Sequence, residues 1–159
     1  MIRNSNLIVA AGLGDGSLPI DAWAYKEKIL QVTKIDVTGK SDPTVCDEIG
    51  FFRNLEELSC SDNGITDLDV SNNSKLTNLE CGWNRLTSLD VSNNPALKYL
   101  NCGSNQLTSL DVSNNTVLAY LYCHSNQLTS FTVTNHSSLK TLNKIIIQNQ
   151  HHWTAHVMS

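Results

Sequence analysis

The sequence predicts an α/β-type solenoid that is mostly β, in which short coils stack and their strands form one parallel sheet. Two residue types recur at a fixed step of 21 residues over about half of the 159-residue chain. The recurring positions are Cys60, Cys81, Cys102, Cys123 and Asn63, Asn84, Asn105, Asn126. A constant period of this length is the signature of stacked repeats, each of which buries its apolar face only against its neighbours.

Four complete coils occupy 55–75, 76–96, 97–117 and 118–138, with the consensus L-x-x-L-x-C-x-x-N-x-L-T-x-L-D-V-S-N-N-x-x. Counted from the first leucine, positions 4 and 6 alternate with polar or aromatic positions 3, 5 and 7. A period of two predicts a strand with one inward face. Positions 14 and 16 flank an aspartate in the same way and predict a shorter strand or extended run on the opposite wall. Positions 1, 4, 6, 11, 14 and 16 therefore form the predicted core.

The first eleven positions of each coil resemble the leucine-rich repeat, L-x-x-L-x-L-x-x-N/C-x-L. The 21-residue length and the L-D-V-S-N-N return segment are similar to surface leucine-rich repeat proteins of Bacteroidetes-type bacteria and, more distantly, to the internalins. This resemblance implies a right-handed coil with one parallel sheet, short return strands or turns, and a small helical N-terminal cap. It also implies that the exposed strand face is the binding surface.

The chain divides into three predicted parts. Residues 1–54 form an N-terminal cap with a degenerate EF-hand-like loop, a helix and a partial repeat, residues 55–138 form the four repeats, and residues 139–159 form a partial fifth repeat with a cap or tail. The EF-hand resemblance rests on the G-D-G of 14–16. Ala11, Leu13 and Ala22 stand where acidic ligands are needed, so we expect no tight calcium binding there.

Within the cap, an amphipathic helix is predicted in the segment 11–31, after Pro19. The run 32–38 matches the T-x-L-D-V-S half of a coil and is interpreted as a return segment. Residues 39–54 form a longer turn whose Ile49, Phe51 and Phe52 are expected to pack under the first full coil.

At the other end, Leu139 and Leu142 begin a fifth coil, and Lys144 stands at the cysteine position. The remainder has no repeat register and is either a cap or a disordered tail. Histidines 151, 152 and 156 invite a metal site, but no helix places them together and no acidic ligand is near. We therefore predict no metal.

The repeated cysteines are interpreted as small buried hydrophobes, because thiols at one position of parallel strands all face the core. Cys46 lies outside this spacing and is either a loop thiol or an inward cap residue. The asparagine at position 9 satisfies backbone groups at a turn inside the coil. The Ser-Asn-Asn run at positions 17–19 is turn chemistry, and the aspartates at position 15 either accept turn hydrogen bonds or hold cations weakly.

Charge and composition exclude several classes of function. The net charge is −4, and residues 55–138 carry eight acidic and three basic side chains, which argues against nucleic acid and anionic membranes as partners. No run of about 18 apolar residues is present, so no membrane insertion is expected. Residues 7–12 only faintly resemble an export signal. The protein is thus either part of a secreted or cell-surface bacterial protein or, as the alternative, cytoplasmic.

The chain has no nucleophile elbow, zinc-protease or phosphate-loop motif, so neither an enzyme nor a cofactor is predicted. Variable residues at positions 3, 5, 7 and 8 predict a recognition surface instead. The candidate partner-binding residues are Asn78, Glu80, Trp83, Tyr99, Asn101, Tyr120, Tyr122 and His124. The competing interpretation is that tyrosines simply suit strands.

The leading hypothesis is a non-catalytic module of a bacterial surface or secreted protein that binds a protein, with a glycan as the alternative ligand. The alternatives are an intracellular inhibitor that covers the site of an enzyme, and a spacer between other domains. The oligomeric state is open.

Overall fold

The computed structural model describes residues 5–13, 27–134, 145–146 and 156–158. The described chain begins with helix α1 (Ser5–Ala10), and a short 3-10 helix lies at Ile49–Phe51. The strands, in chain order, are β1 Lys34–Asp36, β2 Glu57–Ser59, β3 Asn78–Glu80, β4 Tyr99–Asn101, β5 Ser109–Asp111, β6 Tyr120–Tyr122, β7 Ser130–Thr134, β8 Ile145–Ile146 and β9 His156–Met158.

Two parallel sheets form the walls of the coil. The larger sheet has the order β1-β2-β3-β4-β6-β8, and the smaller sheet has the order β5-β7-β9. Strands β2, β3 and β4 each pair with residues 21 positions further along the chain, as Leu79 does with Leu100. The predicted solenoid with one main parallel sheet and short return strands is confirmed.

The core consists of the predicted repeat positions. In the coil 76–96 all six are buried, and they are Leu76, Leu79, Cys81, Leu86, Leu89 and Val91. Equivalent residues of the other coils stack above and below them in one continuous apolar cluster. Each such side chain contributes roughly 1.5–3 kcal/mol when fully buried.

The asparagine at position 9 joins neighbouring coils, as its interpretation as a structural residue requires. The Nδ2 of Asn84 donates to the carbonyl oxygens of Cys60 at 3.1 Å and Cys81 at 3.0 Å. Its Oδ1 accepts the backbone N–H groups of Asn63 and Ile65, each at 3.1 Å. One amide therefore satisfies backbone groups of two successive coils inside the solenoid.

The asparagines at position 9 thus form one ladder along the coils, and those at position 19 form a second. At position 19 the sequence predicts only turn chemistry. Asn73, Asn94 and Asn115 are fully buried. The Nδ2 of Asn94 donates to the carbonyl oxygens of Val70 at 3.0 Å and Asn73 at 2.9 Å. The interpretation of this position as a turn residue alone is incomplete, because the side chain also bonds the preceding coil.

Within the run 32–38, Lys34–Asp36 form a strand of the main sheet and not of the return wall. Lys34, Ile35 and Asp36 pair with Glu57, Leu58 and Ser59. Both halves of a coil alternate apolar and polar residues, so the pattern alone cannot distinguish them, and the earlier interpretation is wrong. Helix α1 packs against β1 and buries Leu7 and Ile8.

Most of the predicted cap helix and the G-D-G loop lie outside the described residues, because 14–26 are not among them. The turn 39–54 places Val45, Cys46, Ile49 and Phe52 in the core. Cys46 is thus an inward residue. The expectation for Phe51 is wrong, since that side chain is 48% exposed.

The C-terminal strands continue both sheets at a longer step. Ile145 pairs with Leu121, and Val157 pairs with Val133, so the step is 24 residues in each case (145 − 121 and 157 − 133). Leu139, Leu142 and Lys144, on which the predicted register of the fifth coil rests, lie outside the described residues. Among the described residues, Ile145 is the one that pairs with the strand leucine Leu121. His151 and His152 lie outside the described residues.

The thiols are free and buried at all five positions. Burial raises the pKa of Cys81 to about 12 and that of Cys123 to about 11. The pKa of Cys60 is raised well above its usual range. The larger cause is a hydrogen bond with the Cys46 thiol, and the next is burial. The neutral thiol is the favoured form in the folded chain, so these cysteines serve as small apolar core residues.

We expect iodoacetamide at about pH 8 to leave the four repeated cysteines unmodified in the native protein and to alkylate them after unfolding in urea. These residues are Cys60, Cys81, Cys102 and Cys123. Intact mass spectrometry measures the number of alkylated thiols. The reason is that the thiolate is the nucleophile, and its population stays negligible until the pH approaches the raised pKa. A Ser88→Cys variant supplies the exposed control thiol, whose alkylation rate rises through its ordinary pKa near 8.5. Native alkylation of Cys102 at the rate of that control would contradict the burial.

Candidate binding surface

The outward positions of β3, β4 and β6 form a continuous strand face. At position 3, Asn78 pairs with Tyr99, which pairs in turn with Tyr120. At position 5, Glu80, Asn101 and Tyr122 follow one another in the same order. Six of the eight predicted partner-binding residues therefore lie in two adjacent columns of one sheet.

Three of these residues form a tyrosine cluster, defined here as Tyr99, Tyr120 and Tyr122. The ring centroid of Tyr99 lies 6.3 Å from that of Tyr120 and 5.6 Å from that of Tyr122, with interplanar angles of 43° and 44°. These are favourable tilted aromatic contacts. Tyr120 keeps 46% of its surface exposed, so the cluster is accessible from solvent.

Polar groups border the cluster and influence its chemistry. The pKa of Tyr99 is raised mainly by partial burial and, to a lesser extent, by the negative charge of Glu80. Its hydroxyl group therefore stays protonated and can donate a hydrogen bond. The Oδ1 of Asn101 accepts the backbone N–H of Gly103 at 3.1 Å, which orients that amide. The surface thus combines apolar rings with fixed hydrogen-bonding groups.

The opposite end of the same sheet face is charged. Lys34 Nζ and Glu57 Oε2 are 2.7 Å apart across β1 and β2. The hydrogen bond from Lys34 to Glu57 raises the pKa of the lysine, which is solvent-exposed. The face therefore changes from charged at its N-terminal end to aromatic at its C-terminal end.

His124 lies at the edge of this face, and its ring packs against Gly103. A side-chain carbon built on Gly103 would lie 2.7 Å from His124 Nε2, too close for any real contact. The imidazole therefore occupies the space that the glycine leaves open, and its Nδ1 lies 3.3 Å from Ser125 Oγ. The 21-residue period predicts the repeat position of His124, but it does not predict the contact of its ring with Gly103.

Trp83 is separate from the tyrosine cluster. It lies at position 8, where the chain leaves the strand, with a backbone φ of 54° and 70% of its surface exposed. Among the described residues, the aromatic ring contacts join tyrosines to tyrosines and do not include this indole. The structure thus does not bring Trp83 together with the other predicted aromatic residues.

The return wall is built from turn hydrogen bonds. Asp69 and Asp90 accept the backbone N–H groups of Ser71 at 2.9 Å and Ser92 at 2.8 Å. Bonds from the serine hydroxyl and backbone lower the pKa of each aspartate. The interpretation of this column as turn chemistry is confirmed. In the described part of the chain no group of three or more His, Cys, Asp or Glu side chains is arranged to hold a metal ion.

The helices within the described ranges are too short or too polar to cross a lipid bilayer. The 21-residue coil, its cysteine and asparagine ladders and its exposed parallel strand face define a leucine-rich repeat solenoid.

The chain is similar in structure to two solved structures. The functional domain of InlJ from Listeria monocytogenes, which includes a cysteine ladder, is 34% identical with a TM-score of 0.54 over 69% of this chain. An internalin, inlF, from the same organism is 27% identical with a TM-score of 0.51 over 77% of this chain. The match spans 32% of the InlJ chain and 44% of the inlF chain. No protein-family model and no curated protein sequence matches this chain.

Proposed function

We propose that the chain is a non-catalytic protein-binding module that contacts its partner through the strand face around the tyrosine cluster. The observation that carries this proposal is the packing of three tyrosines, with ring centroids 5.6 Å and 6.3 Å apart, on an exposed sheet face. Similarity to the internalins supports placing the module in a secreted or cell-surface bacterial protein.

Tyrosine suits this role for physical reasons. It offers a large contact area with few rotatable bonds, and its hydroxyl adds a hydrogen bond, so it is enriched among residues that dominate binding energy. The sheet already restricts Tyr99 through its two ring contacts. Less conformational entropy is then lost when a partner binds.

The charge around the cluster indicates the character of the partner. Glu80 lies beside Tyr99, and acidic side chains outnumber basic ones along the repeats. A partner with an apolar centre and a basic rim would complement this face, because opposite charges across an interface favour encounter and register.

The test begins with a photo-crosslinking amino acid placed at position 120 and, as a matched control, at Val117, which is also exposed but lies off the strand face. Both proteins are mixed with extracts of the source organism and of cells that live with it. We expect position 120 to capture a protein that position 117 does not. The captured protein is then purified for affinity measurement.

Replacing the three tyrosines of the cluster with alanine is expected to weaken binding of the captured protein at least about 100-fold, because several anchor residues are lost together. The control variant carries S88A, S109A and S130A on the return wall, where the side chains are exposed. It should bind like the native protein. Equal affinity of the tyrosine variant, with an unchanged melting temperature, would refute the strand-face proposal.

A further inference from the structure

A groove of about 450 Å³ opens at the N-terminal end of the asparagine ladder, beside the strand face. Its lining includes Ser41, Pro43, Asp62, Trp83 and Arg85. This volume falls in the range of about 300–1,000 Å³ that small-molecule sites occupy. The tyrosine cluster does not line it, because those side chains belong to positions 3 and 5, whereas the repeat residues that line the groove stand at positions 8 to 10.

The backbone of Trp83 makes its side chain unusual. Position 8 is left-handed in every complete coil, with φ between 53° and 57° at Asp62, Trp83, Ser104 and Ser125. Short polar residues tolerate that conformation, whereas a bulky aromatic residue there is an outlier. The indole is also exposed and contributes little to the core. A strained, exposed aromatic side chain that stability does not require indicates a role in binding.

Three polar side chains of the groove are free to bind a ligand. Asp62, the indole N–H of Trp83 and Arg85 form no side-chain hydrogen bond or ion pair with another residue in the ranges that the structure describes. The amides of Asn63 and Asn84, by contrast, are held by backbone groups and give the groove a rigid floor. The site thus offers one flat apolar surface, one acceptor and one multiple donor.

We infer that this groove binds a short neutral carbohydrate made of hexopyranose units, independently of the protein-binding role proposed above. Trp83 stacks on the C–H face of a sugar ring, Asp62 accepts bonds from neighbouring hydroxyls, and Arg85 donates to hydroxyl and ring oxygens. The carboxylate of Asp62 disfavours an anionic ligand such as a phosphate. A concave, mostly polar lining also fits a sugar better than the flat apolar centre of a protein partner.

The test is an NMR titration of the ¹⁵N-labelled protein with cellobiose, maltose, lactose and chitobiose. The chain has three indole N–H groups, from Trp23, Trp83 and Trp153, and the Trp83→Tyr variant assigns the signal of interest. We expect at least one disaccharide to shift the Trp83 resonance saturably. Trp83→Ser should weaken binding at least tenfold, whereas Trp83→Tyr, which keeps a stacking ring, should retain most of it.

Further variants separate this site from others. Asp62→Asn and Arg85→Gln should each weaken sugar binding several-fold, and the triple alanine variant of the tyrosine cluster should bind sugar unchanged. Trp83→Ser should melt no lower than the native protein, because serine occupies the equivalent position in two other coils. The inference is overturned if no disaccharide shifts the Trp83 resonance, or if Trp83→Ser binds sugar as the native protein does. Capture of a protein at position 120 is unaffected by either result, so the two proposals fail separately.

Discussion

Replacing Asn84 with leucine is expected to lower the free energy of unfolding by about 3–5 kcal/mol. Leucine fills a similar volume but offers no acceptor, so the backbone N–H groups of Asn63 and Ile65 lose their partner inside the coil. Each buried donor left unpaired costs about 1–3 kcal/mol. The carbonyl oxygens of Cys60 and Cys81 also lose one of their two amide bonds.

Urea denaturation followed by circular dichroism measures this effect. The matched control is Asn93→Leu, an asparagine in the same coil whose side chain is exposed at position 18. That change should alter stability by less than about 0.5 kcal/mol, as surface substitutions usually do. A loss below about 1 kcal/mol at Asn84 would show that the ladder is dispensable.

Phe52→Ala is expected to destabilise the protein by about 3–5 kcal/mol, the usual cost of removing a buried phenylalanine ring. Phe52 is fully buried beneath the first complete coil. Its backbone carbonyl also accepts the Nδ2 of Asn73 at 2.8 Å, so the ring and the second asparagine ladder meet at this point. A cavity here weakens the contact between the cap and the repeats.

The neighbouring Phe51 provides the control, because it has the same side chain but is 48% exposed. Phe51→Ala should cost less than about 1 kcal/mol when thermal and urea unfolding of both variants are compared. Similar losses for the two variants would mean that the turn 39–54 packs differently from the arrangement described above.

Much of the strand face follows from repeat arithmetic. Once the period is constant, Tyr99 and Tyr120 must be neighbours in one column, and the observed pairing agrees. The distances between the rings are a tertiary property, as is the exposure of Tyr120. The same arithmetic places Trp83 and His124 at the border, but it does not reveal the left-handed backbone of Trp83 or the glycine beneath His124.

Recurrence in the sequence by itself determined the solenoid, its 21-residue step, its core positions and the structural role of the asparagine at position 9. These properties follow because each coil repeats one local pattern and buries the same side chains. The period also made it clear that the cysteines face inward.

Tertiary structure alone decided the features for which the local pattern is ambiguous or the period changes. The run 32–38 matches the return segment of a coil in sequence, yet the pairing of Lys34–Asp36 with Glu57–Ser59 places it in the main sheet. Phe51 and Phe52 are identical in sequence terms, yet one is exposed and the other buried. The 24-residue step to Ile145 likewise depends on backbone pairing between distant residues. The physical reason is that pairing and burial are set by contacts between coils, which no single coil encodes.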